Sequence, residues 1–111
     1  TVKGYSEIWL DQRTIQIELK SGNEEKFDRL KNQAVLRAAE IGKTKDYERF
    51  IILQTADQII IDGVRKSGDQ YLPVEKLKVS VTVMFVNDKD PEYPQAFDID
   101  AKTAEIKRGK P

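Results

Sequence analysis

Cysteine and histidine are both missing from this chain of 111 residues. Without Cys there is neither a disulfide framework nor a thiolate nucleophile. Without either residue there is no Cys/His zinc site, no His-held haem, and no Ser–His or Cys–His pair. An excess of one charge is missing as well, because 19 Lys plus Arg balance 19 Asp plus Glu. A generic nucleic-acid binder is basic, so the balance argues against that class. No aromatic-and-basic RNA signature and no Gly-rich phosphate loop occurs; Ser67-Gly68-Asp69 reads as an isolated turn. No apolar run approaches the roughly 18 residues of a membrane span. The opening Thr1-Val2-Lys3-Gly4 holds no apolar signal segment. Solenoid repeats and low-complexity tracts are lacking too.

What remains is a chain of one domain's length, residues 1–111, expected to bury roughly two-thirds of its unfolded surface. It is polar on average, with 39% hydrophobic and 34% charged residues. The apolar residues nevertheless come in blocks, which predicts a packed core. Residues 4–10 and 14–20 read as two strands of a hairpin. In the second, Ile15, Ile17 and Leu19 alternate with Gln16, Glu18 and Lys20. The spacing then becomes helical: Phe27, Leu30, Ala34, Ala38 and Ile41 form a stripe that Val35, Leu36 and Ala39 broaden. This predicts an amphipathic helix over about 24–41. Ser21 with Glu24, or Asn23, serves as its cap, and Gly42 closes it.

The second half is richer in strands. Phe50-Ile51-Ile52-Leu53 reads as a strand covered on both faces. Ile59-Ile60-Ile61 resumes the apolar run and leads to a turn signal at Asp62-Gly63. This stretch is either one long strand with a bulge around 54–58 or two strands joined by a turn. Residues 65–70 read as a polar loop. Residues 76–86 alternate most cleanly, with Leu77, Val79, Val81, Val83 and Phe85 facing inward. A short C-terminal helix over 101–106, capped by Asp100, is favoured over a strand. The expected fold is α+β: two layers, a mainly antiparallel sheet of four or five strands, and one long amphipathic helix packed on one face.

Asn87, Asp88, Asp90 and Glu92 are the densest carboxylate cluster. They lack the Gly and the Glu spacing of a calcium loop, so a solvated loop is expected. Asp98 and Asp100, two apart and near Glu105, could form an acid–base carboxylate pair, but Asp100 as a helix cap is the simpler reading. No catalytic residue, metal or cofactor is expected. The candidate partner-interface residues are Tyr5, Trp9, Tyr71 and Tyr93, as aromatic anchors, together with Arg37 and Glu40, an i, i+3 pair within the apolar half of the helix. Edge pairing by the residues 4–20 hairpin or the 76–86 strand is the expected mode of contact.

Five segments in order carry a resemblance: Gly4-Tyr5-Ser6-Glu7, Gly22-Asn23, Leu36-Arg37-Ala38-Ala39-Glu40, Phe50-Ile51-Ile52 and Asp100-Ala101. Together they resemble an uncharacterised family of small bacterial cell-envelope lipoproteins, over most of the chain. The resemblance implies a periplasm-facing, outer-membrane-associated domain tethered by lipid on a Cys that would precede Thr1. The chain departs from that family in lacking the anchor Cys and in carrying Ile41-Gly42 where a longer helix end is expected. The resemblance transfers no catalytic residue. It implies a non-enzymatic domain acting by protein–protein contact, as a structural or accessory subunit of an envelope assembly such as a secretion-system outer-membrane complex. The alternative is a module that binds a small molecule or peptidoglycan. Expected partners are other envelope proteins, with no nucleic acid and no membrane contact beyond the lipid.

Overall fold

A computed structural model describes residues 2–22, 26–87 and 93–109. The order of elements is β1 (Val2–Trp9), β2 (Thr14–Gly22), α1 (Phe27–Thr44), β3 (Arg49–Ser67), β4 (Gln70–Val86), β5 (Phe97–Asp98) and α2 (Ile99–Arg108). The strands form one antiparallel five-stranded sheet in the order β1-β2-β4-β3-β5. This is the expected α+β class, with two helices.

The alternating strands meet in register. Ile15 faces Val83, Ile17 faces Val81 and Leu19 faces Val79, and all six are buried. Helix α1 lays Leu30, Ala34, Val35, Ala38 and Ala39 onto this face. Burial of a Val or Leu side chain contributes about 1.5–3 kcal/mol, so this seam is the main source of stability. Three small alanines on α1 allow close approach to the strands. Gly42 goes further: a Cβ there would lie 2.6 Å from Phe85 Cε1 and 2.9 Å from Ile99 Cδ1. The last turn of α1 therefore rests directly on the Phe85 ring.

Several boundaries differ from the expectation, each for a local reason. α1 begins at Phe27 and its N-cap is Lys26, which makes no side-chain cap bond. Ser21 cannot cap it, because it is buried in β2 opposite Leu77. Asn23 and Glu24 lie outside the described residues. Gly42 is inside the helix rather than past its end, and the chain turns at Lys45 and Asp46, the latter with φ 67°. Capping Asp98, not Asp100, opens α2: its carboxylate accepts from the Ala101 N–H at 2.8 Å. Asp88, Asp90 and Glu92 lie outside the described residues.

The largest difference concerns residues 53–75. The two segments 50–53 and 59–61 belong to one 19-residue strand, β3. Register shifts at Ile52/Gln54 and Ile61/Val64 mark two bulges within it. Asp62-Gly63 is the second bulge and not a turn, with Gly63 supplying φ 98°. The expected loop 65–70 is strand on both sides of a tight turn, and Gly68 takes φ 63° there. Leu53 is 51% exposed, so the run Phe50–Leu53 is not covered on both faces.

The result is a projecting hairpin arm. β2 pairs with β4 only from Gly22 opposite Lys76 to Thr14 opposite Met84. β5 pairs with β3 only at Arg49 and Phe50. Beyond those points β3 and β4 continue as a two-stranded ribbon to the turn at Gly68. The arm stretches the molecule to 62 Å along its long axis, against 32 and 21 Å across. β4 lies between β2 and β3, so the 76–86 strand is central and is no edge.

Candidate functional site

The six sequence-predicted contact residues fall into separate places. Tyr5, on edge strand β1, faces the same side as Leu19 and meets Arg37 of α1. Arg37 Nε donates to the Tyr5 hydroxyl at 2.8 Å and to Glu7 Oε1 at 3.1 Å. Its Nη2 lies 3.1 Å from Glu7 Oε1, and its Nη1 lies 3.3 Å from Glu40 Oε2. The guanidinium also sits 5.7 Å from the Tyr5 ring centre, and the Tyr5 hydroxyl donates to Glu7. Four side chains therefore form one clasp that fastens β1 to the helix. Glu7 is the member that sequence reading missed. Its signal is plain afterwards: two residues from Tyr5 on a strand, it must share Tyr5's face.

Trp9 belongs to the packing of the same end. Its ring lies 6.1 Å from Phe85, which stacks at 5.2 Å on Tyr47. Lys45 Nζ covers the outer side of the indole at 5.1 Å. Tyr93 is half-buried; its carbonyl accepts from Arg49 Nη2 at 2.6 Å, and Arg13 lies 5.9 Å from its ring. It ties the segment before β5 to the strands beneath. Each of these residues therefore has an internal task.

Tyr71 stands apart, 69% exposed near the tip of the arm and paired with Lys66. It follows directly on the expected loop 65–70 and is found in β4. Around it lie residues that sequence reading did not single out. Ile59, Ile61 and Val64 on β3 are, like Tyr71, large apolar side chains more than half exposed. The cross-strand pairs Ile59–Leu77, Ile61–Glu75, Val64–Pro73 and Lys66–Tyr71 fix their face. It is the face that α1 covers further down, where Lys31 of the helix pairs with Asp57 of β3 at 3.1 Å. Beyond Asp57 the apolar side chains of β3 on that face, Ile59, Ile61 and Val64, are exposed. Ile60, Leu72 and Val74, half-buried, occupy the opposite face.

The electrostatics of the arm are local. Lys76 Nζ lies 2.9 Å from Asp62 Oδ2. The hydrogen bond and charge of Lys76, with Lys20 adding to them, hold the Asp62 carboxyl below its ordinary value. Asp11 is lowered too, chiefly by the Arg13 N–H that donates to it at 2.8 Å. An open groove between the end of α1 and the start of α2 is lined by Lys43, Asp46, Tyr47, Asp98 and Asp100 and crossed by the Lys43–Asp100 ion pair. Among the described residues no three Asp or Glu side chains are placed to hold a metal ion, and no helix is long and apolar enough to cross a membrane. No protein-family model, curated protein or solved structure matches the chain.

Proposed function

We propose that the protein is a non-enzymatic cell-envelope domain that works by protein–protein contact, with the hairpin arm as its contact element. On this reading the helix and the sheet form two layers whose task is to hold the arm rigidly at its root. The observation that carries the reading is the arm's exposed apolar face: Ile59 at its root and Ile61, Val64 and Tyr71 beyond the end of β2, where among the described residues neither strand edge is paired further. An isolated two-stranded ribbon is marginal in water, and exposed apolar strands of this kind are where partners add.

The envelope setting rests on the resemblance of Gly4-Tyr5-Ser6-Glu7 and Leu36-Arg37-Ala38-Ala39-Glu40 to the bacterial lipoproteins. A lipidated Cys upstream of Thr1 would place the domain at the outer membrane. There it would serve as a structural or accessory subunit of an assembly such as a secretion-system complex. The test is photo-crosslinking in intact bacteria, with the reactive side chain placed at Ile59 or, as control, at Lys107 on α2. Adducts with other envelope proteins from Ile59 and not from Lys107 are expected. Adducts from neither position, or recovery of the protein from the cytosol, would overturn the reading.

A further inference from the structure

Resting on that reading of the arm, we infer that its first partner is a second copy of this chain, paired antiparallel along the free edge of β3. Among the described residues the arm has two open edges, and they are not equivalent. β4 over Gln70–Glu75 contains Pro73, which has no N–H to give to a neighbouring strand. Pro on an exposed strand is a device against pairing. The edge of β3 carries no proline between Ile51 and Ser67, and among the described residues no strand pairs with it there apart from β4 on its other side.

The side chains along that edge match themselves. Because the bulge at Asp62-Gly63 inserts one residue, the helix-side face of β3 reads Asp57, Ile59, Ile61, Val64, Lys66. The sequence of types is acid, apolar, apolar, apolar, base. Turned about a two-fold axis at Ile61, the acid of one copy meets the base of the other at both ends. Asp57 faces Lys66, Ile59 faces Val64, and Ile61 faces Ile61 of the second copy. Opposite charges and apolar pairs directly across two strands are the combinations that stabilise a sheet. Slipping one ladder step in one direction sets Asp57 against Val64; slipping in the other sets Lys66 against Ile59. The pattern therefore selects a single register, with an isologous contact that closes after two copies. Asp57 already meets Lys31 of its own helix at the root of the arm, so Lys66 of the second copy would join a carboxylate held in place.

The geometry leaves room for this. β5 reaches along β3 only as far as Phe50. The paired stretch, Ala56 to Ser67, stops short of it. The tip of each arm would lie beside Asp57, at the root of the other copy's arm. The two arms would form a four-stranded ribbon in which β3 of each copy is interior and the Pro73 edges are outermost. That arrangement gives each arm the additional strands it lacks alone.

Charge exchange tests the pairing directly. The unaltered chain should sediment at twice its 12.7 kDa mass. Asp57→Lys sets two cations opposite each other, Lys66→Glu sets two anions, and each variant should be a folded monomer by circular dichroism. Mixing the two variants restores an acid opposite a base at both ends. The mixture should then give a one-to-one dimer, an outcome that misfolding of either variant cannot produce. In this cysteine-free chain, Ile61→Cys should oxidise to a covalent dimer at least tenfold faster than Tyr71→Cys. Variants that stay monomeric when mixed, or equal rates at the two cysteines, would overturn the inference. Envelope adducts from Ile59 in a chain that remains monomeric would leave the contact reading standing while removing the second copy. A dimer without envelope adducts would do the reverse.

Discussion

β4 runs through two regions that treat the same pattern differently. From Leu77 to Phe85 it alternates apolar and polar residues, and Leu77, Val79, Val81, Val83 and Phe85 are buried. In the arm the same face continues through Ile61, Ile59 and Val64 on β3, and there the apolar side chains are more than half exposed. The local signal is of the same type; the difference is what lies above it. In the body, α1 and the neighbouring strand β2 close over the face. In the arm, the helix has stopped and β2 has ended at Gly22. Apolar alternation thus specifies which way a side chain points, and its burial depends on a second layer that this chain supplies for only part of the sheet.

The contrast is broken most sharply at Phe85. Its ring is fully buried between Trp9, Tyr47 and Gly42. Phe85→Ala should lower unfolding free energy by about 3–5 kcal/mol through lost burial and a residual cavity. Ile61→Ala, measured at dilution where the chain is monomeric, should change it by less than about 0.5 kcal/mol. Comparable losses in urea unfolding would mean that the arm is buried within the single chain.

The glycines separate the regions by mechanism. Gly42→Ala brings a methyl into the Phe85 ring. Crowding of about 1–3 kcal/mol is partly offset by a gain of about 1 kcal/mol in helix propensity, so a net loss of up to about 2 kcal/mol in global stability is expected. At Gly63 nothing lies within 4 Å of an added Cβ, and the only obstacle is its positive φ. Gly63→Ala should leave the global transition in place and speed hydrogen exchange in residues 58–66 alone. A shift of the whole unfolding curve would show that the arm and the body unfold as one unit.

Two of the exposed edges, β1 and the arm part of β3, differ in how they are held. β1 is clasped by Arg37 through Tyr5 and Glu7; β3 beyond Phe50 is tied to α1 by the Lys31–Asp57 ion pair at the root of the arm. Arg37 is about half exposed, so its ion pairs are screened and are each worth at most about 1 kcal/mol. Arg37→Ala should reduce stability by about 1 kcal/mol and raise exchange of the β1 amides without altering self-association. Loss of association in this variant, with stability intact, would move the contact surface from the arm to the clasp.

Much of the body was legible because its periodicities are long. Ile15–Ile17–Leu19 and Leu77–Phe85 repeat every second residue, and Leu30–Ala34–Ala38 repeats at helical spacing. The arm was not legible for two physical reasons. Bulges at residues 53 and 62–63 break the alternation, so a single strand reads as fragments separated by a turn signal. The polar residues Arg65, Lys66 and Gln70 then look like loop when only one edge and no layer demand apolar side chains. The hairpin signal was nonetheless present in Ser67-Gly68-Asp69 between Val64 and Tyr71. The clasp was half visible: the Arg37–Glu40 spacing is local, whereas Tyr5 and Glu7 lie about thirty residues away and join it only through the fold.

The smallest expected effect lies at Asp62, where the arm holds its own ion pair. Lys76 keeps the folded-state carboxyl below the usual range of about 4. A carboxylate lowered on folding adds stability that is present above its unfolded value and fades as the pH falls through the lowered one. The contribution is therefore intact at neutral pH, begins to fade below about pH 4 and is lost as the pH falls through the lowered folded-state value. Because the carboxylate is solvent-exposed, Asp62→Asn should be nearly silent in unfolding at pH 7. The ion pair shows instead in an NMR titration of the Asp62 carboxyl carbon. Lys76→Gln should raise its midpoint toward the ordinary value, since it removes both the hydrogen bond and the nearest charge. An unchanged midpoint would mean that Lys76 does not hold Asp62 in solution, and that the bulge at Asp62-Gly63, on which the single self-matching register of the arm depends, is fixed by Gly63 alone.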